Sequence, residues 1–295
     1  MKSDTTDPID IKLQPIQYWL SWFSRGFATG RWDSYFLGRG FDFQGIAPFR
    51  DDPDLIRINW KATLISGELQ VSQFSEERNI RMFLLANVGP SMAFGSQQTK
   101  MERLAIMAAI LSFSAYRMKD YFRFVGYTDE IELGFPEPRD RTYPKLLARA
   151  ILNFDWRGRK RGGLVRAAMS IPNQRSLIVI ISDHLGGLSG TERALRIIAP
   201  RHEIVPIILW DEREMTLPEG RFGLYPLQDL ETGEIRYVFL TRKNRERFRE
   251  NSLRKRNAII ESFRKFGTEP HFLTRSSEED LDYLVRIFLT HRLQV

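Results

Sequence analysis

The chain contains no cysteine. That single absence excludes a disulfide framework, a thiolate zinc site and a thiol nucleophile, and it suits a reducing compartment. Long apolar runs are missing too: nothing approaches the ~18 consecutive apolar residues that a membrane-spanning helix needs. The opening stretch, "MKSDTTDPIDIKLQPIQYWLSWF", lacks the basic segment, apolar core and cleavage site of a secretory leader. These absences predict a cytoplasmic protein. Histidine is scarce: His184, His202, His271 and His291 show neither H-x-x-x-H nor H-E-x-x-H spacing. Only His184, just past a strand end, stands where chemistry happens. Phosphate-cradling motifs are absent as well. There is no G-x-x-x-x-G-K-[ST], no G-x-G-x-x-G follows the first strand, and "GGLSG" at 186–190 lacks the lysine that reaches phosphates. These absences argue against a nucleotide cofactor held in the usual ways.

What is present is enough for a real core. The 295 residues are 42% hydrophobic and 12% aromatic, and the length suggests roughly two domains. A net charge of +7 and a pI near 9.6 point to nucleic acid, an anionic membrane or an acidic protein partner. Much of that charge sits in "DWRGRKRGG", with Arg157, Arg159, Lys160 and Arg161, and in "RKNRERFRENSLRKRN" from Arg242 to Asn257. Glu246 and Glu250 interrupt the second run, as they would on a solvated helix face. Near the start, Trp19, Trp22, Phe23 and Phe27 form a helical stripe, one that caps the core or lies on a membrane surface.

Two textures divide the chain. Between about residues 31 and 78, short β-like pieces dominate: "SGELQVSQF" alternates after a turn at Ser66-Gly67, and "GRGFDFQGIAPFRDDP" reads as loop and turn. From residue 79, strands and helices alternate. Buried strands are expected at 80–86, 121–127, 176–182 and 204–210, with a short β follow-on at "EIELGF" and a last one at "PHFLT". Helices are expected at 101–116, 144–153, in "TERALRIIA" and from 245 to 266, the last stopped by Gly267. Ser276 and Glu279 make a capping box ahead of a final amphipathic helix. Strands apolar throughout, separated by amphipathic helices, mean an open, mostly parallel α/β sheet with helices on both faces. A small β-rich N-terminal part precedes it, giving domains of 1–78 and 79–295.

In such a sheet, the loops after neighbouring parallel strands gather at one edge, where ligands bind. Two of those loops carry "NVGPS" (87–91) and "SDHL" (182–185). Upstream, "GRGFDFQGIAPFRDDP" and "INWKATLISGELQVSQFSEER" contain an ordered set of motif residues. They are Gly38, Gly40, Asp42 and Phe43; Asp51, Asp52 and Pro53; Ile58, Trp60, Lys61 and Ala62; and Gly67, Leu69, Phe74 and Glu77. In these stretches the chain resembles the domain of unknown function 58 family, within the von Willebrand factor type A fold, and the resemblance covers nearly its whole length. It departs from the family in having Arg50 where a Gly usually precedes Asp-Asp, and in a longer spacing from Pro53 to Trp60.

The resemblance implies a metal site. In the type A fold a divalent ion is held by Asp-x-Ser-x-Ser, a threonine from a second loop and an aspartate from a third. The matching positions are Asn87, Gly89 and Ser91, then Thr142, then Asp183. Magnesium prefers a near-octahedral set of hard oxygens that includes carboxylates. Asn87 has lost the charge and Gly89 the ligand, so the site is degenerate. The expectation is no cofactor, or Mg²⁺ bound at best in the millimolar range. The alternative is a plain strand-to-helix turn, capped by Asn87 or Ser91. Asp51 and Asp52 form either an acid–base pair or, before Pro53 and near Trp60 and Lys61, a structural turn.

The expected function is a non-enzymatic protein-interaction module. The resemblance implies a MoxR-type AAA+ ATPase as partner and an adaptor or co-chaperone role. Gly89, Ser91, Asp183 and His184 are the candidate partner-binding positions. Two alternatives are kept. A nucleic-acid-binding protein using the basic runs is disfavoured, since no recognition motif accompanies them. A metal-dependent hydrolase built on Asp183, His184 and the Asp51–Asp52 pair lacks a full ligand set.

Overall fold

The computed structural model describes residues 42–48, 60–68, 70–75, 81–138, 140–158, 162–217, 223–228 and 234–274. The stripe at 16–27, Gly38, Gly40, Asp51, Asp52, the basic residues 159–161 and the Ser276–Glu279 box lie outside them. The chain separates into two compact units, one of residues 24–79 and one holding the described residues from 81 onward.

In the smaller unit, strands β1 (Asp42–Pro48) and β2 (Gln70–Ser75) pair antiparallel, with a bulge between Phe43 and Gly45. Helix α1 (Trp60–Ser66) lies between them in sequence. Its end is a turn at Gly67, whose φ of +74° favours glycine and whose N–H donates to Thr63 O at 2.9 Å. Lys61 is exposed on this helix. Two expectations are corrected here. "DFQGIAP" is a strand rather than loop, because a bulge accommodates Gly45 and a strand end accommodates Pro48. Trp60–Ser66 is helical within a stretch expected to be β-like.

In the larger unit, six strands line up in the order β10-β7-β6-β3-β4-β5. They are β3 (Arg81–Asn87), β4 (Tyr121–Tyr127), β5 (Ile131–Phe135), β6 (Leu177–Ser182), β7 (Glu203–Leu209) and β10 (His271–Leu273). All neighbours are parallel except β4 and β5. The central strand β6 is buried at every residue, as its run of Ile and Val dictates for a strand covered on both sides.

Helices cover both faces. On one side Phe83, Leu85, Ile178, Ile180 and Ile208 pack under α4 (Leu164–Met169), α5 (Ser189–Ile198) and α7 (Arg242–Arg264). The alternate residues face α2 (Lys100–Met118) and α3 (Tyr143–Leu152); Phe122 meets Tyr143 edge-on at 6.4 Å. A short helix, α6 (Glu212–Met215), follows β7. Strands β8 (Leu224–Gln228) and β9 (Ile235–Phe239) form an antiparallel hairpin that leaves Ile235 and Tyr237 exposed.

Helix α7 carries the longer basic run. It pairs Arg242 with Glu246 and Arg254 with Glu250 on an exposed face, and it buries Ile259 and Phe263 on the other. It ends as its sequence predicts. Gly267 takes φ +74°, its N–H donates to Arg264 O, and Thr268 N donates to Phe263 O, which is the Schellman arrangement. No helix among the described residues is long and apolar enough to cross a membrane.

Candidate functional site

The parallel register brings the C-terminal ends of β3, β6 and β7 side by side, so the loops that follow them meet. The loop after β3 is tight. Asn87 Oδ1 accepts the Gly89 N–H at 2.9 Å, and Asn87 Nδ2 reaches Ser91 Oγ at 3.5 Å, the long limit of a hydrogen bond. This Asx-type turn leads into one 3₁₀ turn, Pro90–Ala93. Neither Asn87 nor Ser91 caps the long helix that follows. Thr99 does, in a capping box with Glu102, and this corrects the turn-and-cap alternative.

That box makes Lys100 the first residue of α2. Its side chain is wholly buried, and its ammonium lies 2.9 Å from Asp183 Oδ2 and 2.6 Å from Glu214 Oε1. Asp183 follows β6; Glu214 sits in α6, after β7. One cation therefore ties together the loops after three strands. Each carboxylate is also steadied by the backbone: Leu185 N donates to Asp183 Oδ1 at 3.4 Å, and Asp211 N to Glu214 Oε2 at 3.0 Å. The second of these closes another capping box, Asp211 with Glu214. Burial pushes the Glu214 carboxyl up, and the Lys100 ammonium pulls against that shift without cancelling it.

Around this triad the strand ends are fastened further. Arg103 donates to Trp210 O at 2.9 Å and to Leu273 O at 3.1 Å, joining β7 to β10. Trp210 Nε1 donates to Asp183 O at 2.8 Å. Asp211 Oδ2 accepts from Ser96 N and Ser96 Oγ, both at 2.8 Å, which links the loops after β3 and β7. Burial alone would raise the Asp211 carboxyl. The hydrogen bonds from Ser96 and Arg213, with the charge of Arg103, outweigh it and hold the group below the ordinary range.

His184 is buried, with a left-handed φ of +50°. Its Nδ1 lies 3.0 Å from Thr191 Oγ1 and its ring meets Phe263 edge-on at 5.3 Å, while Nε2 has no partner among the described residues. Burial lowers its pKa to about 4, against a smaller upward pull from Asp183. The ring is neutral at pH 7 and closed off from a substrate.

The residues present do not fit a divalent ion. Asp183 already faces an ammonium, Asn87 spends its oxygen on the Gly89 N–H, and Gly89 offers no side chain. Thr142 is exposed at the start of α3 and donates to Asp140 Oδ1 at 2.6 Å. The threonine beside the β3 loop is Thr128 instead: a Cβ placed on Gly89 would stand 3.8 Å from its methyl, and its hydroxyl donates to Glu132 at 2.6 Å. Among the described residues no group of three or more His, Cys, Asp or Glu side chains is placed to hold a metal. Gly89, Ser91, Asp183 and His184 are all buried, so they shape the edge from beneath; the exposed rim is Ser96, Gln97, Gly186, Gly187, Glu212 and Arg213. Elsewhere, a shallow cleft of about 440 Å³ between β9 and α7 is lined by Tyr237, Phe239, Asn244, Arg247 and Phe248 among others, with no carboxylate or histidine.

Sequence reasoning missed Lys100, Glu214 and Arg103. For Lys100 a signal exists. A lysine at the first helical position is disfavoured by the positive end of the helix dipole by up to about 1 kcal/mol, which is a reason to look for a carboxylate partner elsewhere in the fold.

The fold and this edge define an open α/β sheet protein whose strand-end loops are bridged by a buried lysine. The chain belongs to the family described as "Protein of unknown function DUF58", matching it over residues 49–258. Uncharacterized protein Rv1480 of Mycobacterium tuberculosis and Uncharacterized protein Mb1516 of Mycobacterium bovis are each 26% identical over 249 residues, 83% of this chain and 77% of theirs. Uncharacterized protein MAV169 of Mycobacterium avium is 33% identical over 135 residues, 45% of this chain and 78% of its own. Similar solved structures include the conserved hypothetical protein BatB from Bacteroides thetaiotaomicron, with 10% identity and a TM-score of 0.43 over 72% of this chain and 99% of that one. Another is a von Willebrand factor type A protein from Catenulispora acidiphila, with 11% identity and a TM-score of 0.31 over 46% and 34%.

Proposed function

We propose that the chain is a protein-interaction module that acts as an adaptor for a MoxR-type AAA+ ATPase, docking through the rim above the ends of β3, β6 and β7. One observation carries the non-enzymatic part of this reading. Among the groups that could do acid–base or metal chemistry at the sheet edge, Asp183 and His184 are buried, Glu214 is half-buried, and all three are already engaged: Asp183 and Glu214 with Lys100, and His184 with Thr191 and Phe263. What the edge offers to a partner is a rim of small and polar residues on a cross-linked base, the rigid support that binding loops need. The ATPase as partner rests on the family resemblance.

The test is capture of the purified ATPase by the full chain, with and without ATP, comparing wild type with Gln97→Trp and Glu212→Arg. Both residues are exposed, so the fold should survive. Capture should fall at least tenfold in the rim variants and stay unchanged in Arg254→Glu on α7. Wild-type capture by both rim variants would place the docking face elsewhere, and no capture by the wild type would remove this ATPase as partner.

A further inference from the structure

We propose that Lys100 is a built-in cation that replaces a divalent ion at this sheet edge, and that Asp183 and Glu214 form a latent divalent-cation site from which the lysine excludes metal. This holds whichever protein docks above it. The placement itself argues for the substitution. An ion at a strand-end edge joins separate loops through one positive centre. Lys100 does that here, reaching 83 residues along the chain to Asp183 and 114 to Glu214. Each carboxylate has one oxygen held by a backbone N–H and turns the other toward the ammonium. The two carboxylates thus converge on one point from two strand ends.

The charge balance points the same way. Two carboxylates against one ammonium leave a formal excess of one negative charge. It is reduced by the positive end of α2, where Lys100 stands. A third carboxylate at position 87 would tip that balance, and the residue there is Asn, beside Gly89. A divalent ion beside Asp183 Oδ2 would lie within contact range of the ammonium, so the two cations exclude each other.

The experiment is thermal unfolding of the full chain with EDTA or with millimolar Mn²⁺, for wild type, Lys100→Ala, Lys100→Met and Lys100→Ala/Asp183→Asn. Wild type should show the same Tm in both conditions. Lys100→Ala, which opens a space between two carboxylates, should unfold lower in EDTA and recover by at least about 2 °C in Mn²⁺. Lys100→Met fills the space without charge and should not recover, nor should the double variant. If Lys100→Ala folds in neither condition, Mn²⁺ titration of the wild type followed by electron paramagnetic resonance decides alone. Absence of saturable binding in the millimolar range supports the replacement, and binding that Asp183→Asn abolishes overturns it. Equal responses of Lys100→Ala and Lys100→Met to Mn²⁺ would also overturn it.

Discussion

His184 should make the folded protein lose stability steeply in mild acid, and its replacement should remove that loss. The folded ring has a pKa of about 4, against an ordinary value of 6.5. Below pH 6.5 the unfolded chain takes up a proton that the folded site refuses until about pH 4. The stabilising difference is therefore complete above pH 6.5 and disappears as pH falls across that window. A gap of 2.5 units at about 1.4 kcal/mol each gives roughly 3.5 kcal/mol. The slope in mid-window approaches one proton, about 1.4 kcal/mol per pH unit. His184→Asn suits the test because asparagine tolerates the left-handed backbone at φ +50°. Its neutral side chain costs packing against Phe263, but that cost does not depend on pH. Glu214 and Asp211 titrate in both proteins and largely cancel in the difference. Urea unfolding at half-unit steps from pH 4.5 to 7.5 measures it. The wild-type and variant curves should converge as pH falls. Parallel curves would refute the buried neutral ring, as would a histidine ¹H resonance for His184 titrating near 6.5.

Lys100→Met should cost roughly 3–5 kcal/mol at pH 7, because it leaves the buried Asp183 and the half-buried Glu214 without their counter-ion. Since burial already raises Glu214, that cost should shrink as pH falls toward 4.5 and Glu214 takes a proton; a pH-independent loss would contradict the ion-pair account. Gly163→Ala should destabilise by at least about 1 kcal/mol, since its Cβ would stand 2.8 Å from Thr128 O, and an unchanged urea midpoint would show that this approach is slack. Duplex DNA or RNA should bind only weakly at physiological salt, because the Arg and Lys side chains of α7 share their face with Glu246 and Glu250. Tight binding lost in Arg247→Glu/Arg249→Glu would promote the nucleic-acid alternative.

The parallel sheet was legible because its strands are short runs of apolar residues bounded by turn signals, and four of the six residues of β6 are Ile or Val. The helix ends were legible for the same local reason: Gly267 sits where a left-handed residue was required. The failures are local rules that a particular context overrides. Gly45 and Pro48 disguised β1 as a loop. Helix α4, six residues long, is too short to show a period and follows two glycines. Proline at position 226 concealed β8 in the same way, although a hairpin strand tolerates it.

The site divides along a different line. Asn87, Gly89, Ser91 and Asp183 were found because strand ends can be located from the strands themselves, and the topology gathers them. The group that decides what the site can hold is Lys100, and nothing near position 183 in the sequence announces it. Its pairing depends on three strands lying in the order β7-β6-β3 and on α2 starting at position 100. The capping box at Thr99 and Glu102 sets that start, and a shift of one residue would turn the lysine by about 100° away from Asp183. Thr142 shows the converse error. It was matched to the threonine that the family resemblance implies on a second loop, but the helix it precedes follows the edge strand β5, and its hydroxyl is spent on Asp140. Residue type and distance along the chain select candidates for a ligand set. Whether the set accepts an ion is decided by the charge the fold brings to the same point, and here that charge is already an ammonium.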